Sequence, residues 1–276
     1  MKKSIAILLS AVLAIGCLAG CGSKNEKKSE TQAATEAATD VATEKTTFTV
    51  GFDQDFPPYG FVGDNGEFTG FDIELATEVA KRLNLEIKLQ PIDWDAKDME
   101  LSSGAIDCIW NGFTMNGRED AYEWTDAYVN NTQVFVVKDD AIKSAADLKG
   151  KVVTVQTDSS AQAALDEEKF ADLKASFKEL VVCSNYNTAF MDLESGAVDA
   201  IAMDVGVAKY QIESRKVDFK VLDDTLAEEQ YGVGFLKGNT ELRDKVQKAL
   251  EDMVKDGTFA EISTKWFGED VGIIGK

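Results

Sequence analysis

The sequence predicts an α/β protein of two lobes, each a doubly wound sheet with helices, and the clearest sign is an internal repeat. Residues 99–109 and 191–201 are identical at seven of eleven positions. Each copy is typical of a helix end, a glycine just after it, and an apolar strand. Two further observations agree. The part of the chain that can fold, about 225 residues, suits two modest domains, and strand-like segments near residues 136 and 231 would carry the chain between lobes.

The first lobe should begin with an alternating, β-branched strand over residues 47–52, which Pro57 and Pro58 prevent from continuing. Asp-Asn-Gly at 64–66 predicts a hairpin turn. Apolar residues on one helical face predict a helix over about 72–84, and a strand over 85–90 follows. A helix from about residue 95 then leads into the first repeat copy.

The second lobe is predicted to follow a strand over 133–138 that leaves the first lobe. It begins with a strand over 151–156, then a helix, a strand at 181–183 and the second repeat copy. A strand over 231–236 returns to the first lobe, where helices are expected over about 240–255 and 258–267. The predicted boundaries are 47–136 plus 232–270 for lobe 1 and 137–231 for lobe 2, joined by a two-strand hinge.

The repeat also indicates where a ligand would bind. In open α/β sheets, ligands lie beyond the carboxyl ends of the strands, so the residues just past each copy are candidates. The repeat register places Gly112 opposite Asp204. A duplication that serves structure alone is the alternative, but polar residues follow both copies.

The N-terminus is typical of an export signal. Lys2 and Lys3 precede an apolar run over 5–18 that is too short to span a membrane, and small residues then lead to Cys21. This resembles a bacterial lipobox, which predicts a signal peptide over 1–20 and lipidation of Cys21. Cys17, or an ordinary secretory signal, is the alternative. Residues 21–46 lack aromatic residues and predict a disordered tether.

Composition excludes several function classes. The chain contains no histidine, which removes Ser-His-Asp and Cys-His nucleophiles and histidine metal sites. The formal charge of −20 argues against a nucleic-acid-binding face. No phosphate-binding glycine loop occurs, so we expect neither metal nor cofactor. We interpret Cys108 and Cys183 as buried free thiols, with a bridge between the lobes as the alternative.

Several motifs occur in a characteristic order. They are Phe-Pro-Pro-Tyr at 56–59, Thr-Gly-Phe-Asp-Ile-Glu-Leu at 69–75, Pro-Ile-Asp-Trp at 91–94, Gly-Phe-Thr…Arg at 112–118, Trp-Thr-Asp-Ala-Tyr at 124–128, and Val-Thr-Val-Gln-Thr-Asp-Ser-Ser-Ala at 153–161. With the Asp204 segment, they make residues 47–270 resemble the extracellular solute-binding proteins of family 3. The resemblance implies a type II periplasmic-binding-protein fold, a free amino acid as ligand, an ABC transporter permease as partner, a monomer, and no enzymatic activity.

The resemblance also implies how the two charged ends of an amino acid are held. Arg118 would bind the carboxylate with its planar guanidinium, unless it is a solvated surface residue. Asp204 would bind the ammonium, with a helix N-cap as the alternative. Ser159 and Ser160 open a helix and would give a second hold on the carboxylate, whereas Ser159 with Gln162 also fits a plain capping box.

The remaining candidates would surround the rest of the ligand. Phe56 and Trp94 would sandwich its side chain, or belong to the core. Gly112 would offer its carbonyl and Thr114 its hydroxyl, or this stretch is an edge-strand turn. Because relatives read a polar side chain at two further positions, the ligand is expected to be polar or basic. These positions are Asp53, which could instead cap its loop, and Asn111.

Two other functions stay open at this level. A sensory module that feeds a signalling receptor would bind the same ligand without transport. Cyclohexadienyl dehydratases resemble the family and would make the chain an enzyme, but the Arg118 and Asp204 pair is more typical of amino-acid recognition.

Overall fold

The computed structural model describes residues 45–276. The predicted signal peptide, Cys21 and nearly all of the predicted tether lie outside the described residues. Within the described part of the chain, no helix combines the length and apolar character needed to cross a membrane.

Two five-stranded sheets and a small three-stranded one organise these residues. The strands are β1 (Thr47–Phe52), β2 (Asp55–Phe56), β3 (Gly60–Val62), β4 (Phe68–Thr69), β5 (Glu86–Pro91), β6 (Cys108–Ile109), β7 (Tyr122–Trp124), β8 (Val129–Val137), β9 (Val152–Gln156), β10 (Glu179–Cys183), β11 (Ala200–Asp204), β12 (Lys220–Tyr231) and β13 (Gly234–Leu236). The helices are α1 (Phe71–Arg82), α2 (Lys97–Ser102), α3 (Ser160–Asp166), α4 (Ala171–Ser176), α5 (Tyr186–Ser195), α6 (Val205–Arg215), α7 (Thr240–Asp256) and α8 (Thr258–Phe267). Short 3-10 turns cover Trp94–Ala96, Ala145–Leu148 and Glu168–Phe170.

The two large sheets have matching strand orders, β5-β1-β6-β13-β7 and β10-β9-β11-β8-β12. In each sheet the first three strands are parallel and the fourth is antiparallel to the third. The two repeat copies lead into β6 and β11, the third strand of each sheet. The prediction of two lobes built on one plan is therefore confirmed.

The repeat glycines end their helices as predicted. Gly104 and Gly196 have φ angles of 76° and 80°, in the left-handed region that glycine adopts without steric cost. Each turn directs the chain into the following strand, β6 or β11.

Helix α1 has the charge pattern that stabilises helix ends. Its first turn carries Asp72 and Glu74, and its last turn carries Lys81 and Arg82, which complements the helix dipole. It ends two residues before the predicted residue 84. Asn84 adopts a φ angle of 54°, outside the right-handed helical region.

The first crossing between the lobes differs from the expectation. All of β8 pairs with β11 and β12 in the second sheet, and Val129 lies opposite Tyr231. The crossing therefore lies near residue 129 rather than 136, because the polar first half of β8 is also strand. We place the boundary there and call residues 45–128 with 232–276 lobe 1, and residues 129–231 lobe 2.

Smaller differences concern the second crossing and the cysteines. The return strand is interrupted at Gly232 and Val233 and resumes as β13. Cys108 and Cys183 are both buried and unbonded, so the prediction of two free thiols is confirmed. The predicted hairpin turn joins β3 to β4, with Gly66 at a φ angle of 80°.

Candidate functional site

A partly enclosed cavity lies between the lobes, where strands of both sheets end. With the lobes in this arrangement the cavity leaves free space of only about 10 Å³, about enough for one water molecule, so a larger molecule could enter only if the lobes parted. Its walls are formed by Phe56, Trp94, Asn111, Gly112, Thr114, Gln156, Ser159, Ser160 and Asp204.

The cavity brings together most of the residues singled out from the sequence. Asp53 and Arg118 do not line it, although both contact residues that do. Gln156 lines it and was missed. Gln156 is the last residue of β9, so the rule that ligands lie beyond strand ends could have included it.

Arg118 reaches from lobe 1 across to lobe 2. Its Nη1 donates to the Ser160 hydroxyl at 3.0 Å and to the Thr114 carbonyl at 3.3 Å, and its Nη2 donates to the Asp158 carbonyl at 3.4 Å. The guanidinium carbon lies 5.3 Å from the centre of the Phe113 ring. The side chain is half-buried rather than a freely solvated surface arginine, and a ligand carboxylate could bind between it and Ser160.

Asp204 is at the N-cap position of α6, yet its side chain makes no capping hydrogen bond. Its Oδ1 instead accepts from Asn131 Nδ2 at 2.8 Å, Gln133 Nε2 at 2.7 Å and the Tyr231 hydroxyl at 2.6 Å. All three bonds go to Oδ1, which leaves Oδ2 for a ligand. Burial, reinforced by the nearby Glu229 carboxylate, raises the pKa of Asp204 above its usual range.

Asp72, a fully buried residue of α1, holds Gly112 in position. The Gly112 N–H donates to Asp72 Oδ2 at 2.6 Å, and the Tyr128 hydroxyl donates to the same oxygen at 2.8 Å. Gly112 has a φ angle of 56°, and a Cβ there would lie 3.0 Å from the Phe56 ring. Glycine thus permits both the backbone turn and the space beside the cavity.

The Thr114 hydroxyl donates to Glu229 Oε1 at 2.8 Å. Its hydrogen is therefore committed to Glu229, and only its oxygen lone pairs remain for a ligand. A ligand ammonium, which can only donate, is the partner that these lone pairs suit.

The two serines at the start of α3 have different roles. The Ser159 hydroxyl accepts the Gln162 N–H at 3.1 Å, as the capping pattern predicts. The Gln162 side chain does not complete the box, because its oxygen accepts from the Asp158 N–H at 2.7 Å instead. Ser160, whose hydroxyl accepts from Arg118, is the serine that joins the two lobes.

The aromatic walls belong to the core as well as to the cavity. Phe56 is 6% exposed and packs against Tyr186 of lobe 2, with ring centres 5.9 Å apart. Trp94 meets Phe113 edge-on at 5.4 Å. Both residues are therefore part of the core and also line the cavity, and their contact with a ligand side chain stays a prediction.

The remaining polar wall contains two amides and a carboxylate behind them. Asn111 is 1% exposed, and neither of its side-chain polar atoms has a hydrogen-bond partner among residues 45–276. Gln156 Nε2 donates to Asp53 Oδ2 at 2.7 Å, while Asp53 Oδ1 accepts the Asp55 N–H at 2.8 Å, so Asp53 does cap its loop. Burial raises the pKa of Asp53 to about 6.

Three further contacts across the cleft were not anticipated. Lys97, buried beneath Trp94, forms an ion pair with Asp158 of lobe 2. Asn187 Nδ2 of lobe 2 donates to Asp55 Oδ1 at 2.6 Å. The third is the Gln156 bond to Asp53. These residues come from strand ends, loops and helix starts far apart in the sequence, where no periodic pattern marks them.

Three buried carboxyl groups should make the ligand-free protein less stable as the pH rises. The pKa values of Asp53, Asp72 and Asp204 are raised by burial, for Asp72 to about 7. Between about pH 4 and pH 7 the folded state therefore binds more protons than the unfolded chain, and stability falls as the pH increases. We expect a higher melting temperature at pH 5 than at pH 8, measured by calorimetry without ligand.

Asp72→Asn provides the control for this prediction, because an amide oxygen can still accept from Gly112 and Tyr128. The variant should show a smaller decrease between pH 5 and pH 8. A melting temperature that increases across this range, or an unchanged decrease in the variant, would contradict the assignment.

Known proteins share this architecture. The L-cystine-binding protein TcyA of Bacillus subtilis (strain 168) is 34% identical over 98% of this chain and 99% of its own. A substrate-binding protein of an ABC uptake transporter from Streptococcus pneumoniae, solved with bound histidine, is 38% identical, with a TM-score of 0.79 over 82% of this chain and 94% of its own. An ancestral arginine-binding protein bound to arginine is 39% identical, with a TM-score of 0.75 over 81% of this chain and 99% of its own.

Each of these relatives is described as a binding protein, and the fold they share is the two-lobed type II periplasmic-binding-protein fold. The sequence signature of the bacterial extracellular solute-binding proteins, family 3, matches residues 48–269, nearly the whole described part. The chain therefore belongs to the bacterial extracellular solute-binding proteins of family 3.

Proposed function

We propose that the protein captures a free amino acid in the cavity between its lobes and delivers it to the permease of an ABC importer. The observation that carries the proposal is the pair of opposite charges on the two lobes. Arg118 of lobe 1 lies beside Ser160, and Asp204 of lobe 2 lines the cavity with one carboxylate oxygen available.

An uncompensated buried carboxylate favours a cationic ligand group. The salt bridges among residues 45–276 include neither Asp204 nor Glu229. A buried charge is costly unless it is paired, so a ligand ammonium would relieve this cost. A carboxylate on the same ligand would meet Arg118, which makes a free amino acid the simplest match.

Binding would join the lobes, because the two charged partners belong to different ones. A ligand that contacts both lobes stabilises the arrangement in which they touch more than any open one. The contacts between Asp53 and Gln156, and between Lys97 and Asp158, would support the closed arrangement once the ligand is in place.

The ligand's side chain should carry hydrogen-bonding groups, and L-cystine is our first candidate. The two unpartnered atoms of Asn111 offer one donor and one acceptor, and leaving them unpaired while buried is costly. L-cystine carries a second ammonium and a second carboxylate, and a relative of this chain is named for binding it. Arginine is the second candidate, since Asp53 lies behind this wall of the cavity.

We further propose that the protein works as a monomer anchored outside the cell membrane by a lipid on Cys21. The apolar run over 5–18 and the small residues before Cys21 support this, as does the family's extracellular character. Residues 22–46, which number 25, separate Cys21 from the first strand. This length would let the lobes meet a permease in the same membrane.

A thermal-shift screen of the purified protein against the twenty amino acids and L-cystine tests the proposed function. A ligand present at 100 times its Kd stabilises by about 2.7 kcal/mol, which raises the melting temperature of a domain this size by about 5 °C or more. We expect such a shift with one or a few of them. No shift with any compound would contradict the proposal.

A further inference from the structure

Asn131, Gln133, Asp204 and Glu229 form a polar cluster behind the cavity. The Glu229 carboxylate is buried there, and ligand recognition does not require it. Glu229 is 5% exposed, as is Asp204. It extends from β12 toward the interior of lobe 2, next to the strand β8. Sequence reasoning assigned it no role, and it does not line the cavity.

The same two amides hold both carboxylates. Asn131 Nδ2 donates to Asp204 Oδ1 at 2.8 Å and to Glu229 Oε1 at 2.7 Å. Gln133 Nε2 donates to the same two oxygens, at 2.7 Å each. Asp204 Oδ1 and Glu229 Oε1 both accept from the same nitrogen at 2.7–2.8 Å, so these two oxygens lie close together.

No positive charge balances the two carboxylates within the described residues. Arg118 donates to the carbonyl of Thr114, but the bond from Thr114 to Glu229 comes from its neutral hydroxyl. The other titratable groups around the pair are Tyr59 from the loop after β2, Tyr186 from α5 and Tyr231 from β12, with Asp72 beyond Tyr59. Burial raises the pKa of all three tyrosines, so they stay neutral near pH 7.

We propose that Glu229 is a positioning residue that controls the charge of Asp204, so that capture of an ammonium ligand is coupled to release of one proton from this carboxyl pair. Two carboxylates this close cannot both ionise easily without a cation. In the empty site the pair retains a proton. The ligand's ammonium supplies the missing positive charge, and the proton leaves to the solvent while the ligand stays protonated.

The inference rests on the proposed function and predicts how the affinity for the ligand changes with pH. Binding should weaken several-fold from pH 7.5 to pH 6.0, because the proton must be removed against a higher proton concentration. The raised pKa of Asp204 supports this range. Without the Glu229 charge, Asp204 should ionise more readily and the dependence on pH should decrease.

Titration calorimetry at pH 6.0, in two buffers of different ionisation enthalpy, measures the protons released on binding. The probes are L-cystine and L-arginine, and the variant is Glu229→Gln, whose amide oxygen can still accept from Thr114. The matched control is Glu228→Gln, the neighbouring exposed residue on the opposite face of β12. We expect the wild type and the control to release close to one proton, and Glu229→Gln to release less than half as many.

Two results would overturn the coupling while leaving the proposed function intact. One is binding by the wild type without proton exchange at pH 6.0, which requires no variant to fold. The other is equal proton release by Glu229→Gln and the wild type. If the wild type binds no amino acid in the thermal-shift screen, the proposed function itself fails and the coupling fails with it.

Discussion

Asp204→Asn is expected to weaken amino-acid binding by at least about 30-fold. Removing one partner of a buried, hydrogen-bonded charge pair costs about 2–5 kcal/mol, and 1.4 kcal/mol corresponds to a factor of ten in affinity. The asparagine oxygen can still accept from Asn131, Gln133 and Tyr231, so the local structure should persist. Calorimetric titration with the ligand identified by thermal shift measures the loss.

Asp199→Asn is the matched control, because it makes the same change just before β11 and away from the cavity. Asp199 accepts the Val152 N–H at 2.8 Å and is partly exposed. Arg118→Ala should reduce affinity to a similar degree, with Arg82→Ala as its control, since Arg82 of α1 pairs with Glu78 and Asp256. Wild-type affinity in either cavity variant would contradict the assigned roles of Asp204 and Arg118.

Gly70→Ala is expected to cause the largest loss of stability, about 3–5 kcal/mol. Gly70 has a φ angle of 136°, and a Cβ there would lie 2.2 Å from the Tyr59 carbonyl oxygen. Neither backbone can move easily, since the Phe71 N–H donates to the Pro58 carbonyl at 2.7 Å. Backbone strain and overpacking each cost about 1–3 kcal/mol. Urea unfolding of the purified variant measures the loss.

Gly66→Ala serves as the comparison, because Gly66 also has a positive φ angle but no atom within 4 Å of the added Cβ. It should cost only about 1–2 kcal/mol, from the left-handed conformation alone. If both variants lose the same stability, the close approach of Tyr59 to Gly70 is not a constraint in solution.

The location of the cavity could be predicted from the repeat. Two copies of one helix-glycine-strand unit imply equivalent strands, and the residues past them, Gly112 and Asp204, do lie in the wall of one cavity. The local signals of each copy agree with its final structure, since both glycines adopt the left-handed conformation that ends their helices. No long-range information was needed for this step.

The first four residues of β8, 129–132, could not be predicted because three of them are polar. Asn131 and Gln133 face the interior, where apolar side chains are expected of a buried strand. They are stable there because they donate to Asp204 and Glu229, residues about 70 to 100 positions away. Only the tertiary structure shows this pairing, so the strand's polar half resembled a loop.

Glu229 was missed for a related reason. The pairing of β12 with β8 shifts register between Val221 and Thr225 and again between Thr225 and Ala227. Such irregularities interrupt the two-residue alternation that assigns side chains to faces. The sequence Glu228-Glu229 therefore does not reveal which glutamate is buried, although only one of them is.

The most direct test of the central claim compares three forms of the ligand identified by thermal shift, with L-cystine tested first. They are the free amino acid, its N-acetyl derivative and its methyl ester, each titrated calorimetrically into the purified protein. If Asp204 binds the ammonium and Arg118 with Ser160 binds the carboxylate, both derivatives should bind at least about 100-fold more weakly, since each leaves buried polar groups unpaired. Binding of either derivative with the affinity of the free amino acid would contradict the account.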